Sequence, residues 1–241
     1  MSYIPGRVAH TLKIKFIAII YLSWYIIIMK FTDLLDIVGD QPLFESSLLL
    51  AGDVNPVDLG RQLSRWVKSG RIMQLRRGLY TLSFPYQKVK PHPFYTANHM
   101  VLGSYVSCHS ALAHYGLIPE AVPLTTSVCT GRTLLKSTPL GDFRFHHIAD
   151  KWFFSYVSKE ILEGQNVFLA RPEKALLDLV HLVPGSERLD YLSGLRLQNL
   201  DKIKPGRLME ISERINSPKI TRAVKNIRKL ISLEGRKYIT L

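Results

Sequence analysis

Between Asn55 and Leu82 the spacing of apolar residues changes from that of a helix to that of strands. Leu59, Leu63, Trp66 and Val67 gather on one side at about 100° per residue, and Arg61, Arg65 and Lys68 fall in a narrow arc roughly opposite. Asn55 is a preferred N-cap, Pro56 suits the first helical position, Asp58 complements the dipole in the first turn, and Gly70 supplies a stop. Ile72, Met73 and Leu75 then lead into Arg76-Arg77-Gly78, and Leu79-Tyr80-Thr81-Leu82 follow, which reads as two short strands around a glycine turn. Upstream, Phe31, Leu34, Leu35 and Val38 predict a helix over 30–39 ending at Gly39, and Pro42 to Leu50 reads as a second helix. Three helices and a hairpin thus complete a first domain near Ser83.

The next stretch, residues 85–94, carries Pro85, Pro91 and Pro93 among Tyr86, Lys88 and Lys90 without clear periodicity, as a linker does. Beyond it, Tyr105-Val106 reads as extended, and Ser107 can cap a short helix over His109 to Tyr115 that Gly116 ends. Leu124 to Cys129 has strand composition; Thr133 to Lys136 and Phe143 to Ile148 flank a Pro139–Asp142 turn as a hairpin; Val167 to Ala170 is a further strand. Pro172 opens a helix over Glu173 to Leu182 with Ala175, Leu176, Leu179 and Val180 on one face. From Leu189 the pattern is helical with breaks at Lys204-Pro205-Gly206 and Ser217-Pro218. The last helix sets Ile220, Val224, Ile227 and Ile231 against Arg222, Lys225 and Lys229. The expected fold class is α+β. It comprises an N-terminal winged helix-turn-helix domain over 30–84, a linker over 85–94, and a mixed α/β domain over 95–241 with a helical, basic C-terminal tail.

Residues 1–29 stand apart as a hydrophobic extension. Phe16 to Met29 is a nearly unbroken apolar run between Lys15 and Lys30. A spanning helix needs about 20 apolar residues, so this run is short, and no small-residue cleavage site follows it. Three readings stay open: a short membrane anchor, an upstream extension before a translation start at Met29, and a core helix.

Charge sharpens the picture. The formal net charge is +13 across 241 residues. Residues 52–90 hold eight Lys/Arg against two Asp/Glu and residues 201–241 hold eleven against four, while the other segments balance. Two concentrated basic patches around a neutral middle point to specific anionic surfaces, nucleic acid first among them. A basic helix of this length can enter a major groove about 12 Å wide, and arginines on a neighbouring wing can reach phosphate or the minor groove. The competing reading is a solvated cationic face on a structural helix-hairpin.

Candidate chemistry is sparse. Cys108 and Cys129 form no disulfide framework, which fits a reducing cytoplasm, and both read as small buried hydrophobes. Cys108 with His109 and His114 lacks metal-ligand spacing, and His146-His147 in a strand point to opposite faces. Lys174 and Asp178 read as an i,i+4 surface ion pair beside Glu173. No phosphate loop, dinucleotide fingerprint or nucleophile elbow is present, so the expectation is a non-enzyme without metal or other cofactor.

Three motifs together, Arg61–Tyr80 (RQLSRWVKSGRIMQLRRGLY), Tyr105–Val122 (YVSCHSALAHYGLIPEAV) and Ala170–Val180 (ARPEKALLDLV), resemble the AbiEi antitoxins of bacterial abortive-infection AbiE (type IV) toxin-antitoxin systems. The resemblance spans roughly residues 30–230, and its second and third motifs are the specific ones. It implies a winged helix that binds double-stranded DNA at inverted repeats upstream of its own operon. It also implies a larger domain that neutralises a nucleotidyltransferase-like toxin without requiring a stable complex. Arg61, Arg65, Lys68, Arg76 and Arg77 would then be operator contacts, with two copies pairing on the repeat. Arg222, Lys225 and Lys229 would offer an antitoxin surface. Residues before Met29 depart from the family pattern, which begins close to the first winged-helix helix. The alternative is a ligand-responsive or membrane-tethered winged-helix transcriptional regulator with no antitoxin role.

Overall fold

The computed structural model describes residues 29–50 and 54–237, with side chains to residue 233. The hydrophobic run ending at Met29 lies almost wholly outside these residues, so its three readings concern chain that is not described. No helix among the described residues is long and apolar enough to cross a membrane. Among the described residues the fold is α+β, with eight helices, a three-stranded antiparallel sheet and a six-stranded mixed sheet. Two compact units divide between Val89 and Lys90.

The first unit contains α1 (Phe31–Val38), β1 (Phe44–Glu45), a 3-10 turn (Ser46–Leu50), α2 (Pro56–Lys68), β2 (Ile72–Arg76) and β3 (Leu79–Leu82). Asn55 caps α2 as its sequence predicts, its side-chain oxygen accepting from Val57 N–H at 2.9 Å, a contact typically worth ~1 kcal/mol. Leu59, Leu63 and Trp66 on α2 close over Leu34, Val38, Phe44, Leu49, Ile72 and Leu82 to make one core. Phe31 meets Trp66 and Tyr86 edge-on at 5.5 and 4.8 Å, binding α1 to that core.

The segment expected to be a second helix, Pro42 to Leu50, folds otherwise. Phe44 and Glu45 pair with Tyr80 and Leu79, giving sheet order β1-β3-β2, and only Ser46–Leu50 winds, as a 3-10 turn. Thr81 Oγ1 donates to the Pro42 carbonyl at 2.8 Å, and Ser46 N–H donates to the Gly78 carbonyl at 2.8 Å. Pairing to a partner some 35 residues away outweighs a weak local preference, as it commonly does.

The second unit runs α3 (Pro93–Met100), β4 (Ser104–Val106), α4 (Cys108–His114), β5 (Thr125–Cys129), β6 (Leu134–Thr138), β7 (Gly141–His147), a 3-10 turn (Asp150–Trp152), β8 (Tyr156–Leu162) and β9 (Gln165–Ala170). Then come α5 (Pro172–Leu182), α6 (Leu189–Gly194), a 3-10 turn (Leu200–Lys202), α7 (Pro205–Ile215) and α8 (Pro218–Lys237). Strand order is β6-β7-β5-β4-β9-β8, with β4/β9 and β5/β7 parallel and the remaining neighbours antiparallel. The central strands β4 and β5 are buried throughout, whereas edge strands β6 and β8 carry exposed polar residues that discourage further pairing.

Two elements here were not foreseen. α3 begins inside the expected linker, started by Pro93 with His92 Nδ1 accepting from Phe94 N–H at 3.1 Å. Gln165 anchors the same entry segment, its carbonyl oxygen accepting from His92 N–H at 2.7 Å and its amide donating to the Lys90 carbonyl at 3.1 Å. β8 was the other omission: its mixed sequence gives little alternation, and it is held as a strand by β9 across the Glu163-Gly164 turn.

Candidate functional site

In the first unit the two faces of α2 are realised as charge on one side and core on the other. Arg61, Arg65 and Lys68 are exposed around Gly60 and Ser64, and these residues with Val57 line an open groove along the helix. Gly60 carries no side chain, and a Cβ there would meet nothing within 4 Å, so the groove is open at that point. Arg61 is bound to Asp58 at 2.9 Å, and Arg65 lies 3.4 Å from the Gln62 side-chain oxygen.

The β2–β3 turn presents its two arginines differently. Arg77 is exposed, while Arg76 donates to a Glu45 carboxylate oxygen at 2.7 Å and to the Arg77 carbonyl at 3.0 Å. Gly78 adopts φ 82°, a left-handed value that glycine takes without steric cost. Its carbonyl is tied to Ser46, so the turn is fixed to β1 and the 3-10 turn as well as to its own strands.

The expectation of a surface pair at Lys174 and Asp178 is overturned. Both side chains have no exposed surface, and neither does Glu173. Lys174 Nζ contacts one Asp178 carboxylate oxygen and donates to Tyr105 Oη at 2.8 Å. The other carboxylate oxygen accepts from Tyr105 Oη at 3.0 Å and Ser107 Oγ at 2.7 Å. The rings of Tyr105, Trp152 and Phe154 surround the ammonium at 5.4, 5.8 and 5.5 Å. The sequence does carry a sign of this burial: Lys174 and Asp178 are interleaved with Ala175, Leu176, Leu177, Leu179 and Val180, leaving the helix no wet side at that level.

Cys108 follows β4 with φ 52°, an uncommon left-handed value for a residue with a side chain, and opens α4. Strand-to-helix turns of this kind can display nucleophiles, but this thiol is buried. Burial raises its pKa, with the Asp178 carboxylate adding to the effect, so it stays protonated. Burial, reinforced by Asp178, likewise raises that of Tyr105. Cys129 is also a free, buried thiol. Among the described residues no three His, Cys, Asp or Glu side chains gather as a metal ion would require. His146 and His147 diverge as strand neighbours do, and His147 Nδ1 lies 3.0 and 2.9 Å from the Thr130 and Gly131 carbonyls.

On α8, Arg222, Lys225 and Lys229 are exposed, whereas Ile220, Val224 and Ile227 are buried. Arg222 pairs with Glu187 at 3.1 Å; Lys225 and Lys229, with Arg228, border a groove between α7 and α8. Lys219, on the inner side, donates to the Val183 carbonyl at 2.6 Å and secures the end of α5.

No family model matches the chain, and a search of curated proteins finds no match to it.

Two measurements follow from the buried groups. Lys174→Met should destabilise the second unit by about 3–5 kcal/mol by stranding the Asp178 carboxylate, and Lys174→Met with Asp178→Leu should recover most of that loss. Chemical denaturation of the two variants checks this; equal losses would contradict it. Burial is the leading cause of lowered pKa at His92, His109, His114, His146 and His181, against an ordinary value of 6.5. The unfolded chain therefore binds protons more readily, so this stabilisation is present above about pH 6.5 and lost as pH falls through and below it. Melting between about pH 7.5 and 5.5 should show the second unit losing Tm faster than the first, whose described residues contain no histidine.

Proposed function

We propose that this chain is a DNA-binding autorepressor and antitoxin of the AbiEi kind. Its first unit serves as a winged helix on inverted repeats upstream of its own operon, and its second neutralises a nucleotidyltransferase-like toxin. The observation that carries the DNA-binding half is the cationic face of α2, Arg61, Arg65 and Lys68 around Gly60 and Ser64, on the same unit as an arginine-bearing turn. The β1-β3-β2 sheet supports the winged-helix reading, with β1 between α1 and the basic helix. In place of a full second helix there is the Ser46–Leu50 turn.

On this reading α2 enters the major groove, where Arg65 and Lys68 reach base edges or phosphates and Gly60 permits close approach of the helix. Arg77 contacts the backbone or minor groove from the wing. Arg76, held by Glu45, acts mainly by positioning that wing. Two copies occupy the two halves of the repeat, with no need for a dimer in solution. The antitoxin half rests on the Tyr105–Val122 and Ala170–Val180 resemblance, with Arg222, Lys225 and Lys229 as its exposed basic surface. The reading is cytoplasmic and requires neither catalysis nor a cofactor.

Salt-titrated binding of the full chain to the DNA directly upstream of its operon, against scrambled DNA, tests the first half. Three to five phosphate contacts per copy give a log-log salt slope between about −3 and −4.5. Arg65→Ala should cost about 1–3 kcal/mol and relax preference at one position if it reads a base. Arg77→Ala should weaken binding to all sequences alike. Equal, weak binding to both DNAs would remove the operator reading. Co-expression with a toxin-like neighbour in the operon tests the second half: growth must be restored by the intact chain, and failure with DNA binding retained would leave a repressor without antitoxin activity.

A further inference from the structure

A cavity of about 290 Å³ opens in the second unit between β5, β7, the start of α4 and the end of α5. Its floor is apolar, formed by Leu124, Leu179 and Leu182, of which Leu124 and Leu182 are only half-buried. Its other side is polar, formed by Arg144, His146 and His109. The parallel register of β5 and β7 explains the arrangement: Thr126 pairs with Arg144 and Val128 with His146, so both β7 side chains share the face that looks toward the cavity.

The polar groups are unspent. Arg144 makes no ion pair or hydrogen bond within the described residues, and neither imidazole is hydrogen-bonded there. The acidic group that acts on His109 is Glu120, and it is engaged by Arg196 at 2.6 Å. A guanidinium is charged at all relevant pH and pairs naturally with a planar carboxylate. Beside it, a cation would be repelled, and the described residues form no metal-ligand cluster. Apolar walls with a few convergent polar groups are the general composition of small-molecule sites, and this volume lies at their small end.

We propose that this cavity binds a small organic monocarboxylate, its carboxylate on Arg144 and His146 and its apolar body on the leucine floor. The inference is independent of DNA binding and of antitoxin activity. A ligand of on the order of ten non-hydrogen atoms would bind with Kd on the order of 0.1–1 mM.

Ligand-observed NMR titration of the full chain with phenylacetate, 2-phenylethylamine, 2-phenylethanol and inorganic phosphate separates the contributions. Phenylacetate should bind at least tenfold more tightly than the amine, the alcohol or phosphate. Arg144→Gln, an exposed strand position where folding is readily retained, should weaken phenylacetate at least tenfold. Leu182→Trp, which fills the floor, should abolish it while circular dichroism stays unchanged. Absence of phenylacetate binding overturns the proposal, as does equal binding of acid and amine or binding unaffected by Arg144→Gln. Phosphate binding as tight as phenylacetate would overturn the apolar half of the assignment and with it the ligand class.

Discussion

The second unit is organised around one ammonium group with no access to water. Removing an ion from solvent costs several kcal/mol, and the cost is offset only when every polar partner is in place. Lys174 meets that condition through Asp178, Tyr105 and three aromatic rings, while Asp178 is completed by Tyr105 and Ser107. The polar partners come from α5, from β4 and from the residue between β4 and α4, and two of the rings from the turn before β8. Satisfying one charge therefore fixes the register of α5 on the sheet and the course of the chain out of β4. The left-handed conformation at Cys108 sits at that junction, directly after Ser107, whose hydroxyl donates to Asp178.

The first unit uses charge in the opposite way. Its core is mostly apolar, with Thr81 buried and tied to the Pro42 carbonyl, and most of its cations, among them Arg61, Arg65, Lys68 and Arg77, lie exposed, where an ion pair carries little stabilisation. Glu45 introduces a distinction among them. By engaging Arg76 it converts one arginine of the turn into a strut between β1 and the hairpin and leaves Arg77 as the projecting one.

Where local pattern and tertiary demand agreed, the sequence was readable: α2 with its cap, the β2–β3 hairpin, the β6–β7 hairpin, and α5 beginning at Pro172. The misreadings share a cause. Phe44-Glu45 and β8 are strands because of a partner strand, which a local window does not contain. Lys174 and Asp178 satisfy the spacing of an exposed pair, and only the apolar residues interleaved between them signal burial. The cavity was illegible for a different reason: Arg144 and His146 meet His109 only through sheet register, across more than 30 positions of chain.

Gln165 bears on how the molecule can be taken apart. Its side chain is 1% exposed, and both ends of its amide are used on the entering chain at Lys90 and His92. The amide is thereby oriented without ambiguity, oxygen toward an N–H and nitrogen toward a carbonyl. A fragment of the second unit cut at the compositional edge of the linker, after residue 94, would strip that donor and that acceptor of these partners; one cut ahead of Lys90 keeps them satisfied. One glutamine 75 residues downstream thus decides where the excised domain has to start.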